Sequence, residues 1–176
     1  MPFTPFHMGP GAAIKAVTGS YFSLTVFGFT QIAIDIEPLI RILQKDTVVH
    51  GFTHTYIGAF LIGTISMVLG KFVCEKMLKT WNLSINFKFL KWLKIKEQIS
   101  LFAASTGAFI GSFSHIFLDS IIHSDIQPFA PFNTENGLLH IMPSGWLYLL
   151  CSVLGFIGFL VIGVLSFWNK WAIEIK

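Results

Sequence analysis

The sequence of residues 99–122 is ISLFAASTGAFIGSFSHIFLDSII, an apolar stretch without a lysine, arginine or glutamate. A helix needs about 20 residues to cross the roughly 30 Å apolar core of a bilayer, and this stretch is long enough. It nevertheless carries His115 and Asp119, which are four residues apart and therefore share one face of a helix. The stretch predicts a transmembrane helix that brings two polar side chains to a common site.

Two other stretches, Phe52–Val73 and Gly145–Trp168, are similarly long and apolar. In the whole chain, 53% of the residues are hydrophobic and 12% are charged, whereas a typical soluble domain has about 25% charged residues. Cys74 and Cys151 lie at opposite ends of their segments, so we expect two buried thiols and no disulfide. The composition therefore predicts an integral membrane protein with three full spans.

A fourth apolar stretch, Gly11–Ile34, is interrupted by the loop-like sequence Thr18-Gly19-Ser20. We predict a broken helix or helical hairpin here, with short helices over about Gly11–Val17 and Phe22–Ile34. The predicted fold is one all-α membrane domain over residues 1–176. It is a small bundle of three transmembrane helices, 52–73, 99–122 and 145–168, with the N-terminal hairpin 11–34.

Most of the positive charge lies in one segment, residues 74–98, between two predicted spans. Short loops rich in lysine stay in the cytoplasm, so we predict a basic cytoplasmic loop in contact with anionic membrane lipids. The net charge of +3 resides mainly there, and no nucleic-acid partner is expected. The opposite ends of the adjoining spans then face the non-cytoplasmic side. The lysines concerned are Lys76, Lys79, Lys88, Lys91, Lys94 and Lys96.

The histidines and aspartates cluster towards that non-cytoplasmic side. Ionisable side chains are costly in a membrane segment, and several at the same ends of their helices are harder to explain than one histidine bonded to a carbonyl. Imidazole and carboxylate groups are ligands of zinc, manganese and iron. We predict one or two divalent ions, with zinc as the first choice. The predicted ligands are His7, Asp35, His50, His54, His115 and Asp119.

Two ligand pairs depend on helical spacing. His50 and His54 are four residues apart at the predicted start of a span, and His115 and Asp119 are four apart near the end of another. Asp35 stands where the second helix of the hairpin is predicted to stop, and His7 reaches the same side only if the hairpin forms. His140 is better explained as an ordinary interfacial histidine.

Three further polar residues, Glu37, His123 and Asp125, follow or flank the predicted ligands. Each could ligate a metal, transfer protons during catalysis or orient a ligating imidazole, and each could equally cap a helix. The chain has no G-x-S-x-G, P-loop or H-E-x-x-H motif, which argues against serine hydrolases, nucleotide triphosphatases and zincin proteases. We predict that these three residues serve catalysis.

At these residues the sequence resembles the YdjM-like membrane-bound metal-dependent hydrolases of the bacterial inner membrane. The matching elements are an early histidine followed by glycines (His7), an acidic stop before Pro38, the His-x-x-x-His pair at His50 and the Ser-His-x-x-x-Asp element at His115. The chain has Ile34 where the family typically has proline. The resemblance implies a multi-pass inner-membrane protein and a metal-dependent hydrolysis.

The order of the ligands is also similar to that of zinc-dependent phospholipase C and the related nucleases. That likeness implies a multi-metal phosphoesterase. The His-x-x-x-Glu element that completes the three-zinc site in those enzymes is absent, since Ser144 stands four residues after His140. This difference argues against a full three-metal site.

The leading hypothesis is metal-assisted hydrolysis of a phosphoester in a lipid or lipid-linked substrate, at the outer face of the inner membrane. Metal ions supply hydroxide near neutral pH and hold the reacting oxygens. A metal-ion transporter or carrier is the first alternative, although transporter sites usually lie near the bilayer midplane. A non-catalytic membrane partner protein whose metal only ties the helices together is the second.

Overall fold

Five helices account for most of the computed structural model, which describes residues 5–85 and 88–174. Three of the helices are long and apolar enough to cross a membrane, and no strand occurs within the described residues. The all-α membrane fold and the three predicted spans are therefore confirmed. The helices are α1 (Met8–Thr18), α2 (Leu24–Gln44), α3 (Tyr56–Ser84), α4 (Leu101–Ile122) and α5 (Ser144–Glu174), and the candidate span in α5 is Ser144–Trp168.

The predicted N-terminal hairpin forms, with its turn at Gly19. The backbone of that glycine has a φ of 56°, a conformation that residues with a side chain adopt only at an energetic cost. The Lys15 ammonium donates hydrogen bonds to the carbonyls of Gly19 (2.7 Å) and Phe22 (2.8 Å), which closes the turn. Ser23 then caps α2, because its hydroxyl accepts a hydrogen bond from the Val26 N–H. These contacts return the chain towards the end of the bundle where α1 begins.

The predicted stop of α2 before Pro38 is wrong, because the helix continues to Gln44. A proline inside a helix removes one backbone hydrogen bond, and other contacts can compensate for it. Here Glu37 and Arg41 form an ion pair across Pro38, with 2.8 Å between the carboxylate and a guanidinium nitrogen. The helix ends at Gln44, and the capping residue Lys45 adopts a left-handed conformation with a φ of 61°.

The predicted helical pairing of His50 with His54 is also wrong. His50 lies in the non-helical segment between α2 and α3, and His54 lies in the short 3-10 turn Phe52–His54. The helix starts one turn later because the Thr55 hydroxyl caps α3, accepting a hydrogen bond from the Gly58 N–H at 3.0 Å. The two imidazoles are therefore positioned by an irregular segment.

The first part of segment 74–98, predicted as a loop, is helical. Helix α3 continues through a π-helical stretch, Ser66–Gly70, to Ser84, so the first lysines of the segment extend a membrane helix. Lysine is a good helix former, and Lys71 pairs with Glu75 one turn later at 2.7 Å. The side chains of Lys88 and Lys91 lie outside the described residues.

Helix α4 is the centre of the bundle and packs against both α2 and α3, while α1 packs along α5. The α1–α5 contact depends on small residues, because a Cβ atom at Gly9 would collide with the backbone of Cys151. Cys74 and Cys151 are free and buried, as predicted. The bundle thus has one end formed by the starts of α1 and α3 and the end of α4. The other end, where α4 begins, carries the basic segment and the α1–α2 turn; we call it the basic end.

Candidate metal centre

Four polar side chains meet in the interior of the bundle, and we call them the inner cluster. They come from α2, from the turn before α3 and from α4, and each offers one ligand atom within 4.8 Å of the others. They are nearly inaccessible to solvent, with exposed fractions of 0% to 4%. The inner cluster consists of Asp35, His54, His115 and Asp119.

The spacing of these atoms fits a metal ion. One oxygen of Asp35 (Oδ1) lies 3.3 Å from Nε2 of His115 and 3.8 Å from Nε2 of His54. One oxygen of Asp119 (Oδ2) lies 3.3 Å and 3.5 Å from the same two nitrogens. A tetrahedral zinc ion with bonds of about 2.0–2.1 Å has ligand–ligand distances of about 3.3–3.4 Å. The four nitrogen–oxygen distances, 3.3–3.8 Å, are therefore close to those between ligands of a single ion.

Hydrogen bonding fixes which nitrogen of His115 faces the cluster. The Gln31 amide nitrogen donates to the Gly111 carbonyl at 3.1 Å, which turns the amide oxygen towards Nδ1 of His115. Because that oxygen can only accept a hydrogen bond, Nδ1 must carry the proton. The Nε2 atom of a neutral ring then presents a lone pair to two carboxylates.

The centre of the inner cluster therefore requires positive charge. Nε2 of His54 and Nε2 of His115 are both buried and have no hydrogen-bond partner. Lone pairs and carboxylate oxygens repel one another in a low-dielectric interior unless protons or a cation lie between them. A divalent cation satisfies all four groups at once, and the donor set is that of zinc, manganese or iron.

His7 contacts the inner cluster through its second aspartate. Its Nε2 atom lies 3.0 Å from Oδ1 of Asp119, and its ring stacks on His115 with 4.6 Å between ring centroids. The hairpin thus brings His7 to the predicted side of the bundle. In this position it can orient Asp119 or approach a metal ion beside it.

A second group, the rim cluster, comprises His50, His123 and Asp125, whose ligand atoms also lie within 4.8 Å of one another. His123 and Asp125 are partly exposed, unlike the inner cluster. The two clusters adjoin, since the rings of His50 and His54 are 4.6 Å apart, and the ring of His123 is 4.5 Å from that of His50. His123 is the C-cap residue of α4 and has an extended backbone conformation.

Asp125 holds His50 in one orientation. Its Oδ1 atom accepts from Nδ1 of His50 at 2.8 Å, and its Oδ2 atom accepts from the backbone N–H groups of Val49 and His50 at 3.0 Å. Burial alone would raise the pKa of Asp125, but the hydrogen bonds from His50 and Val49 lower it to about 2. The carboxylate is ionised, so Nδ1 of His50 is the protonated nitrogen and Nε2 is the one that can ligate.

Burial also lowers the pKa of His50 and of His123 below the usual value. Both rings are therefore neutral near pH 7 in the metal-free protein. A neutral imidazole is the form that binds a metal ion.

Glu37 occupies a position beside the clusters. Its Oε1 atom pairs with Arg41, and its Oε2 atom accepts from the Thr53 N–H at 2.7 Å. The carboxylate thereby connects α2 to the turn that carries His54. These contacts are those of a residue that positions the turn carrying His54. The catalytic role of Glu37 stays a prediction.

Sequence reasoning missed Gln31 and Thr53. The Thr53 hydroxyl contacts Nδ1 of His54 at 3.1 Å, as Gln31 contacts Nδ1 of His115. Gln31 had a detectable signal, because it is a polar residue within an apolar segment, four residues before Asp35 and thus on the same helix face. His140 is exposed and belongs to neither cluster.

Replacing Gln31 by leucine is expected to weaken metal binding about 10–100-fold, because the hydrogen bond that orients His115 is lost. Gln31→Glu keeps an acceptor for Nδ1 and should bind metal more tightly than the leucine variant. Competition with a chromophoric chelator measures both affinities. Equal affinity of Gln31→Leu and the unmodified protein would show that the His115 ring needs no such support.

A family model described as YdjM inner membrane protein matches residues 7–174, which include every residue of both clusters. No curated protein and no solved structure matches the chain significantly. The likeness to phospholipase C and the related nucleases stays a prediction.

Proposed function

Because the chain belongs to the YdjM inner membrane protein family, we propose that its clusters form the site of a membrane-embedded metal-dependent hydrolase. The substrate we propose is a phosphoester of a lipid or of a lipid-linked molecule. The observation that carries the proposal is the pair of buried, unpartnered nitrogens, Nε2 of His54 and Nε2 of His115, facing two carboxylates. Together these four groups offer the ligand set of a divalent cation.

Bound divalent cations would supply hydroxide near neutral pH and neutralise the charge of a phosphoryl group. The inner cluster would hold one cation, with His7 supporting Asp119. The rim cluster would form the side of the site that is open to water and substrate, because His123 and Asp125 are partly exposed while the inner residues are buried. His50, held by Asp125, would bind at the junction of the two clusters.

The proposed proton-transfer group is His123. Glu37 and Asp125 are engaged with Arg41 and His50, respectively, and are better suited to holding the site in place. His123 lies at the half-buried rim, with its ring against that of His50. An imidazole at the boundary between the site and water can pass protons in either direction.

The position of the site favours a lipid substrate. Both clusters lie where membrane helices start or end, so a substrate could keep its acyl chains in the bilayer while its phosphate reaches the rim cluster. We propose that this is the outer face, because helix α3, about 40 Å long at 1.5 Å per residue, leads from His54 towards the basic segment. Lysine-rich segments stay in the cytoplasm.

A non-catalytic metal staple is the second candidate, and the burial of the inner cluster favours it. Four protein ligands around one tetrahedral ion are typical of structural zinc sites, whereas catalytic sites keep a position open for water. Nothing comparable favours a transporter. Among the described residues, both groups of potential ligands lie at the same end of the bundle.

The test is an assay of the untagged protein in detergent on phosphomonoester and phosphodiester lipids, with and without chelator. Chelator should suppress turnover at least 100-fold, and zinc or manganese should restore it. Asp125→Asn should lower turnover about 10–100-fold through the loss of the His50 contact. Glu135→Gln, a matched change at an exposed carboxylate outside both clusters, should have no effect.

Two results would decide against the enzyme. Hydrolysis that persists in chelator would exclude the metal mechanism. Bound metal without turnover on any lipid, combined with unfolding on metal removal, would establish the staple instead.

A further inference from the structure

A groove of about 520 Å³ lies between α2 and α3, at the end of the bundle opposite the basic end. Its volume is within the range of about 300–1,000 Å³ that small-molecule sites occupy. Ile36 and Ile40, which line its α2 side, are 50% and 47% exposed. In a membrane these side chains would face the surrounding lipid, so the groove is open to a lipid molecule from the side.

The groove changes from apolar to polar along α2. Ala33 lines its apolar part together with Ile62 of α3, and Arg41 and Gln44 line its polar part. Gln44 follows Ala33 by eleven residues, which is about 16 Å at 1.5 Å per residue. Ile62 lies inside the candidate span of α3, which begins at Tyr56. The groove thus extends from the level of the acyl chains to that of the lipid headgroups.

The polar part of the groove holds one positive and two negative side chains, Arg41, Glu37 and Asp46. Glu37 is bonded to Arg41 at 2.8 Å and to the Thr53 N–H at 2.7 Å. Oδ2 of Asp46 lies 4.0 Å from Nη1 of Arg41, which is beyond hydrogen-bond distance, and the side chain is 44% exposed. The lining therefore has a formal charge of −1, with a carboxylate at Asp46 that can accept hydrogen bonds from a cation.

Arg41 retains donors for an anion. A guanidinium group has five N–H donors. Nε and Nη2 each donate to Oε1 of Glu37, at 2.9 Å and 2.8 Å, and Nη1 donates to the Val48 carbonyl at 3.5 Å. Within the described part of the chain, these bonds leave one N–H on Nη1 and one on Nη2. The groove can therefore hold an anionic group at Arg41 and a cationic group at Asp46.

The groove is separate from the rim cluster. Arg41 contacts the carbonyl of Val48, whereas Asp125 accepts from the N–H of Val49 at 3.0 Å. That carbonyl and that N–H belong to one trans peptide unit and therefore point in opposite directions. Arg41 and Asp125 accordingly lie on opposite sides of the chain before α3.

We propose that this groove binds a phospholipid whose headgroup ends in a primary ammonium. The phosphate lies at Arg41, the ammonium at Asp46, and the first acyl carbons along Ile36 and Ile62. Charge complementarity selects this occupant, because a lining of net negative charge repels an anionic headgroup. A quaternary ammonium has no N–H with which to bond to Asp46. The site is additional to the proposed hydrolysis, since the rim cluster faces the other side of the chain.

Native mass spectrometry of the detergent-solubilised protein tests the proposal with three lipids of identical acyl chains. Phosphatidylethanolamine carries the primary ammonium, phosphatidylcholine the quaternary one, and phosphatidylglycerol has a net negative charge. Phosphatidylethanolamine should bind more tightly than either of the others. Equal or tighter binding of phosphatidylcholine or phosphatidylglycerol would overturn the proposal.

Asp46→Asn tests the headgroup contact, because it removes the charge and retains the shape of the side chain. The preference for phosphatidylethanolamine over phosphatidylcholine should fall about two- to fivefold, as expected for one partly exposed ion pair. Glu135→Gln neutralises an exposed carboxylate outside the groove and should leave the preference intact. An unchanged preference in Asp46→Asn, or an equal loss in both variants, would contradict the assignment.

A second pair of variants tests the apolar part of the groove without altering charge. Ala33→Phe places a ring in the groove and should abolish the preference for phosphatidylethanolamine. Ile32→Phe places the same ring on the neighbouring residue, which is 54% exposed and does not line the groove, and should preserve the preference. The unfolding temperature shows whether each variant is folded. If a folded Ala33→Phe variant keeps the preference, the lipid does not occupy the groove; if this variant does not fold, the Asp46→Asn comparison decides.

Discussion

Replacing His115 by alanine and Asp119 by asparagine is expected to reduce the metal content of the purified protein from about one or two ions per chain to a trace. These residues supply two of the four donor atoms of the inner cluster, and Asp119 is also the contact of His7. Loss of a single supporting contact costs about 10–100-fold in metal affinity, so loss of two ligands should cost considerably more than 100-fold. Elemental analysis after dialysis measures the effect.

The matched control is His140→Asn, which removes an imidazole that belongs to neither cluster. Asparagine tolerates the left-handed backbone at this position, where φ is 58°, better than alanine does. The control should retain its metal. If the double variant is folded and retains metal at the level of the unmodified protein, the inner cluster is not the metal site. If the double variant does not fold, the same measurement is made on the single variant Asp119→Asn.

Withdrawal of the metal is expected to lower the free energy of unfolding by about 4 kcal/mol, when the free ion was present at about 1,000 times its dissociation constant. The ligands come from α2, from the turn before α3 and from α4, so the ion binds only the folded chain with full affinity. For a domain of this size the change corresponds to a drop in the unfolding temperature of about 8–16 °C.

Thermal unfolding in detergent, before and after chelation, measures this drop. The His115→Ala, Asp119→Asn variant provides the internal control, because its unfolding temperature should not respond to chelator. A large drop with continued lipid hydrolysis after metal is restored would mean that the site is both structural and catalytic. No drop at all would mean that the inner cluster holds no ion in the native protein, and its four groups would then be joined by protons.

The sequence was sufficient for features that depend on neighbouring residues. The three spans follow from the length of their apolar stretches, and the meeting of His115 with Asp119 follows from the helical repeat. The hairpin at Gly19 follows from a local break signal. In each case the deciding information lies within a few turns of one helix.

Local signals also misled where tertiary contacts outweighed them. Pro38 predicted the end of α2, yet the helix continues past it. At this point Glu37 pairs with Arg41 and accepts a hydrogen bond from the Thr53 N–H. His50 and His54 have helical spacing but lie before α3, because Thr55 caps that helix. Their imidazoles reach the site by a non-helical path.

The sequence alone thus determined that this protein is a helical membrane protein with imidazoles and carboxylates towards one end of its spans. Only the tertiary structure decided how those groups divide into an inner and a rim cluster, and which residues support them. Gln31 meets His115 across 84 positions of the chain, and Asp125 meets His50 across 75. Contacts between such distant residues depend on how whole helices pack, which no local pattern in the sequence encodes.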